Sequence, residues 1–313
     1  MSSCVVYGNF TSTLREGNTL SAEAAAFYAA LNILLSITAF LGNTLILIAL
    51  RKVSSVHPPT KLLFRCLAVT DLCVGLIAQP IYATLMMNAV TTIKLNIFCN
   101  ILLVNFALTF ILCGLSIFTS TAISVDRLLA LLLGLRYRQV VTIRRVRAVT
   151  LCFWLTITSV TGFMHFLGGP RFSYTAGIVF TMVCLFISVL SYTKIFLALR
   201  KQQVYAQVQI YQGQPNDEGI PLIIARYKKT VFSIAWVQLA LVACYSPYII
   251  SAITIRMNAN KDGWGGMGAR IIWEASLTLV FLNSTLNPIL YCWKITEVRK
   301  AVKDTLRQFC CSR

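Results

Sequence analysis

The sequence has little charge and few groups able to do acid–base chemistry. Asp, Glu, Lys and Arg make up 12% of its 313 residues, only 10 of them are acids, and there are only two histidines. With 57% of residues hydrophobic, a soluble domain would lack the polar surface to cover itself, so the composition is that of a polytopic membrane protein. His57 and His165 lie far apart, no nucleophile-base-acid constellation recurs, and there is no glycine-rich phosphate loop, which excludes the usual enzyme classes. Eleven cysteines show no C-x-x-C spacing, which argues against a structural zinc site. No cleavable signal peptide is apparent either, because residues 1–22 are polar and the first apolar run is too long for one.

What is present is a series of seven nearly charge-free windows: 24–50, 66–93, 95–125, 148–170, 172–193, 230–255 and 275–293. Each has the length a spanning helix needs, about 20 residues at about 1.5 Å per residue. The sequence therefore predicts an all-α membrane protein, a seven-transmembrane helix bundle. It divides into an outer N-terminal tail (1–23), the bundle (24–293), and an amphipathic helix with a cytoplasmic tail (294–313). The third window runs 31 residues without a charge and stops at Asp126 and Arg127. Such a pair at the inner end of a membrane helix is a functional-site hypothesis in itself.

Orientation follows from the basic residues. With the N-terminus outside, the outer segments hold Arg15, Lys94, Arg171, Arg256, Lys261 and Arg270, and the other 22 of 28 basic residues face the cytoplasm. This is the positive-inside asymmetry, and it accounts for the net charge of +18 without nucleic acid. Asn9, in Asn9-Phe10-Thr11, is then a glycosylation acceptor. The segment Gln202 to Ile220, with Gly213, Pro215, Asn216 and Gly219, reads as a turn or mobile loop between helix extensions. After the seventh window, Ile295, Val298, Val302, Leu306 and Phe309 recur at helical steps among basic residues, the pattern of a helix lying on the inner leaflet. Cys310 and Cys311 behind it are either palmitoylation sites or plain thiols.

Asp71 is the acid deepest in any window. It must be paired, hydrogen-bonded, protonated or bound to a cation, with Ser116, Asn283, Ser284 and Asn287 as polar groups able to join it. Oxygen-rich groups suit a sodium ion, and they suit a dry network tying helices together equally well. Pro80, Pro247 and Pro288 punctuate the second, sixth and seventh windows as kink sites, and Asn283 and Asn287 are placed to serve the carbonyl freed in the seventh.

Gly42-Asn43, Leu67-Ala68-Val69-Thr70-Asp71, Asp126-Arg127-Leu128, Trp154, Tyr192, Cys244-Tyr245-Ser246-Pro247 and Asn287-Pro288-Ile289-Leu290-Tyr291 occur in that order, one per predicted helix. The set resembles the rhodopsin-like (class A) G-protein-coupled receptors, with their GN, LAxxD, DRY, mid-helix Trp, CWxP and NPxxY motifs. The resemblance implies a switch. Asp126 would hold Arg127 at rest, and the sixth helix would swing outward about Pro247. Arg127 would then meet a heterotrimeric G protein, with Tyr192 and Tyr291 turning in and Pro288 and Asn287 shaping the seventh helix. Leu135, Tyr137 and Arg138 would touch the transducer. Tyr245 and Leu128 depart from the family's tryptophan and tyrosine. Tyr227 stands where many relatives carry a locking acid, which predicts basal signalling.

The family's outer disulfide lacks its cysteines here, since Leu102 occupies one position and residues 162–176 contain none, leaving Cys4–Cys99 as a conceivable substitute. The short second outer loop and the absence of a mid-helix proline in the fifth helix are similar to melanocortin, cannabinoid and lysophospholipid receptors. On this alignment the ligand-facing residues are Tyr82, Phe106, Thr109, Phe110, Cys113, Tyr245, Tyr248, Leu277 and Phe281, with Phe180 and Ile249 beside them and Glu274 near the rim. That lining favours a weakly polar or lipid-like ligand. A peptide at the rim and a ligandless receptor are the competing readings. A channel or transporter is the rival class, and it would need a polar path that these windows lack.

Overall fold

The computed structural model describes residues 20–53, 56–87, 95–163, 169–211, 219–258, 267–294 and 296–311. The helices are α1 (Ala22–Lys52), α2 (Pro58–Met87), α3 (Leu95–Leu133), α4 (Ile143–Phe163), α5 (Gly169–Tyr211), α6 (Gly219–Asn258), α7 (Met267–Lys294) and α8 (Thr296–Cys311). Among the described residues there is no strand. Among the described residues, six helices are long and apolar enough to cross a membrane. The seventh, α7, has 28 residues and so the length to cross, but it carries Arg270, Glu274, Asn283 and Asn287. Those polar groups turn inward, and α7 forms the polar seam of the bundle.

Helix α3 lies at the centre, touching α2, α4, α5, α6 and α7, while α1 closes the ring between α2 and α7. Lipid-facing side chains such as Leu34, Leu155, Phe163 and Phe186 stay exposed, as they must where hydrocarbon replaces water. Ser21 caps α1, its hydroxyl accepting from the Ala24 N–H at 3.2 Å, and Arg51 and Lys52 sit at the negative end of the helix dipole.

Some boundaries differ from the sequence expectation. α4 begins at Ile143 rather than at 148, because its first turns continue through Arg144, Arg145 and Arg147, which are exposed. Pro170 belongs to the first turn of α5, where a missing N–H costs nothing. Residues 202–211, expected in the loop, are the end of α5, since no glycine or proline interrupts the chain before Gly213. Residues 212–218 lie outside the described residues.

Two of the prolines find different partners for the groups they disturb. Ahead of Pro80, α2 loosens into a π-helical turn over Val74–Ala78, and Ser36 donates to the Gly75 carbonyl at 2.6 Å. Pro288 lacks the N–H that would bond the Ser284 carbonyl. Asn43 of α1 donates to that carbonyl at 3.0 Å, in the place foreseen for Asn283 or Asn287. Gly42 makes this approach possible, because a side chain there would stand 3.0 Å from the Pro288 ring. Docked below, α8 packs Ala301 on Ala49 and Val53, and Lys52 donates to Thr305 at 3.0 Å.

Gly75 is the tightest point between α1 and α2. An added Cβ would stand 2.9 Å from the Ser36 carbonyl oxygen and 3.1 Å from the Phe40 nitrogen, neither of which can step aside. Gly75→Val is expected to cost about 1–3 kcal/mol. The loss would show as a lower Tm of purified protein, with Gly268→Ala, which meets nothing within 4 Å, as the control.

Candidate functional site

Near the C-terminal end of α3, Asp126 is buried and accepts three bonds. Arg127 Nη2 pairs with Oδ2 at 2.8 Å, Thr60 of α2 donates to Oδ2 at 2.9 Å, and Tyr137 donates to Oδ1 at 2.6 Å. Arg127 also donates to Thr60 at 2.7 Å. Charge-assisted bonds of this length away from water are strong, so the guanidinium is held inside the bundle floor. The family resemblance places Tyr137 against the transducer. It is instead buried, because the 3-10 turn Gly134–Arg136 and the helical turn Tyr137–Val140 fold it back toward Asp126. Gly134 makes that reversal with φ of 48°, a conformation glycine adopts freely. Leu135, at the tip of this turn, is 99% exposed, and Arg138 is exposed as well.

One turn above the pair, Ser124 of α3 meets Gln238 of α6 at 2.9 Å, both buried. Sequence reasoning missed this contact: Ser124 and Gln238 do not stand out among their neighbours in the chain, and only helix rotation brings them together. Tyr192 packs in an apolar cluster with Leu67 and Ile123. Pro247 lies inside α6. The backbone of Tyr291 is helical, but its side chain lies outside the described residues, as do those of Tyr227, Cys99, Cys310 and Cys311. Asn9 and Cys4 lie wholly outside them.

In mid-membrane, Asp71 is fully buried. Ser116 and Ser284 donate to Oδ1 at 2.8 Å each, and Asn287 donates to Oδ2 at 2.7 Å. This one carboxylate therefore joins α2, α3 and α7. Asn283 shares the level, yet neither atom of its buried amide forms a hydrogen bond among the described residues.

Toward the other end, Tyr82, Cys113, Tyr245, Phe281 and Ile249 fall in one buried cluster, with Phe180, Tyr248 and Leu277 packed against it. Tyr245 donates to the Cys113 carbonyl at 3.3 Å, and Tyr82 meets Phe281 edge-on at 5.3 Å. Phe106 and Phe110 are not brought into this cluster. Phe110 covers Gly177 of α5, where any side chain would strike its ring. Thr109 keeps a buried hydroxyl with no partner among the described residues. Glu274 is 1% exposed; its Oε1 pairs with Arg270 Nε at 2.8 Å and its Oε2 accepts from Tyr82. The rim acid expected from sequence is thus a sealed one.

Asp71→Ala removes the acceptor of three bonds and strands Ser116, Ser284 and Asn287 in the interior. The expected result is a loss of at least about 3 kcal/mol, at roughly 1 kcal/mol or more per orphaned group. The readout is a lowered Tm or loss of folded protein in detergent.

Comparison with known proteins agrees with this geometry. The family described as 7 transmembrane receptor (rhodopsin family) matches residues 42–174. The adenosine receptor A2b of Rattus norvegicus is 25% identical over 317 residues, covering 88% of each chain. The adenosine receptor A2a of Canis lupus familiaris is 22% identical over 326 residues, 92% of this chain and 74% of its own. Melanocortin receptor 4 of Danio rerio is 23% identical over 287 residues, 88% of this chain and 82% of its own. All three are receptors, and none is an enzyme or a channel. The ordered motifs, the helical bundle and these relatives agree, and together they support a rhodopsin-like (class A) G-protein-coupled receptor.

Proposed function

We propose that this receptor, with its N-terminus outside the plasma membrane, takes a weakly polar or lipid-like ligand in its outer half and releases Arg127 to a heterotrimeric G protein. The observation that carries the switch is the clamp on Asp126, where Arg127 is held from within by a carboxylate and by Thr60. Outward movement of α6 about Pro247 breaks the Ser124–Gln238 contact, and the ligand offsets that loss only through its preference for the open arrangement. Leu135 and Arg138 are exposed beside the clamp, in reach of a transducer.

The apolar cluster around Phe281, Tyr245 and Cys113, with the Thr109 hydroxyl at the same end and without a partner among the described residues, supports a ligand with much hydrocarbon and few polar atoms. Adenosine, named by several relatives, is the second reading and belongs in the same assays. The Asp71 cluster fits a sodium ion, because carboxylate, hydroxyl and amide oxygens are hard ligands and the amide oxygen of Asn283 has no partner among the described residues. Glycosylation at Asn9 and palmitoylation at Cys310 and Cys311 complete the reading.

G-protein activation sensors in cells test the switch. Wild type is expected to signal without ligand above a mock-transfected control, and Arg127→Ala to abolish that signal. Gln238→Leu removes a bond of about 1 kcal/mol, so it is expected to raise the basal active fraction about five-fold. A silent wild type would defeat the basal-signalling claim, and an Arg127→Ala that signals fully would defeat the switch. For the pocket, saturation binding of a labelled lipid panel is expected to weaken about ten-fold in Phe281→Ala and less in Thr109→Ala.

A further inference from the structure

Between α2 and α7, at the outer edge of the apolar cluster, stands a polar group that the switch does not use. Glu274 is fully engaged: one oxygen pairs with Arg270, the other accepts from Tyr82, and the carboxylate is sealed at 1% exposure. Arg270 is not. It engages Glu274 through Nε alone, its side chain is 24% exposed, and its two Nη groups form no hydrogen bond among the described residues. The Nη pair is a planar fork whose geometry matches a carboxylate or a phosphate. By contrast, a cationic ligand finds no available acid here among the described residues.

A second observation lies one turn inward on the same face of α2 as Tyr82. The Gln79 side chain is fully buried, and neither its amide oxygen nor its amide nitrogen has a partner among the described residues. Two orphaned polar atoms in an apolar interior are unfavourable, and a neutral donor–acceptor group placed beside them relieves that. The apolar wall continues from Tyr82 to Phe281.

Resting on the lipid-like reading above, we propose that the ligand is an acyl amphiphile with an anionic head seated on Arg270. A neutral amide, or an ester with a hydroxyl beside it, about one helical turn away (roughly 5 Å), meets Gln79, and the hydrocarbon lies along Tyr82 and Phe281. The outer segments, with six basic against four acidic residues, favour approach of an anion.

The test measures Tm and probe affinity of the purified full-length receptor with N-oleoylglycine, oleoyl lysophosphatidate and N-oleoylethanolamine. The last keeps the amide and chain but has no anionic head. Both anionic probes are expected to bind about ten-fold or more tighter than the neutral one, and whichever binds better separates a carboxylate source from a phosphate source. In Arg270→Gln/Glu274→Gln, which removes both charges together and leaves neither buried alone, that preference is expected to vanish. Arg270→Lys, which keeps the charge without the fork, is expected to lose most of it. Gln79→Leu is expected to weaken the two amide probes alike. Equal binding of the neutral and anionic probes, or a preference unchanged in the Arg270 variants, overturns the anion seat while leaving a lipid ligand in place. Binding of none of the three overturns the lipid-like reading as well.

Discussion

A carboxylate cannot be left bare in hydrocarbon, and that constraint organises this bundle more than any apolar contact does. Asp71 and Asp126 are both buried, and each is surrounded by donors from several helices. In water the helices could associate by burying apolar surface. In lipid that drive is largely absent, and polar contacts and close backbone approach take over. The seam between α1 and α7 follows the same rule: Tyr28, Asn32, Asn43 and Thr285 all bond across it, and Gly42 lets the backbones meet.

The two buried acids differ in what holds them. The partners of Asp71 come from α3 and α7 but carry no charge, so the site is a neutral cage around one anion. Asp126 has a cation beside it in sequence, and its other partners come from α2 and from the turn after α3. A neutral cage tolerates small shifts of its walls, whereas a pair of opposite charges separates only when another acceptor is offered. The first suits a hub and the second a switch.

Much of this was legible in the sequence. The windows marked the helices because a bilayer imposes a length, and Asp71 announced itself as an acid with nowhere to go. The Asp126–Arg127 pair stood out by ending a long uncharged run. What stayed hidden depends on rotation about helix axes. Nothing in the spacing of Asn43 said that its amide would reach the carbonyl freed by Pro288, or that Ser124 would find Gln238. The inward turn of Tyr137 was missed because it follows from Gly134 and a 3-10 turn, which no apolar period reports. Phe106 and Phe110 were assigned to a cavity by alignment, while the contact over Gly177 is a matter of shape.

The π-helical turn in α2 also sets the phase of everything beyond it. Each residue of an ordinary helix advances the side chains by about 100°, so a one-residue change in winding would rotate Gln79 and Tyr82 off the interior while Asp71, on the near side, kept its place. Losing that loosened turn would therefore re-aim the half of α2 beyond it without replacing a single residue there.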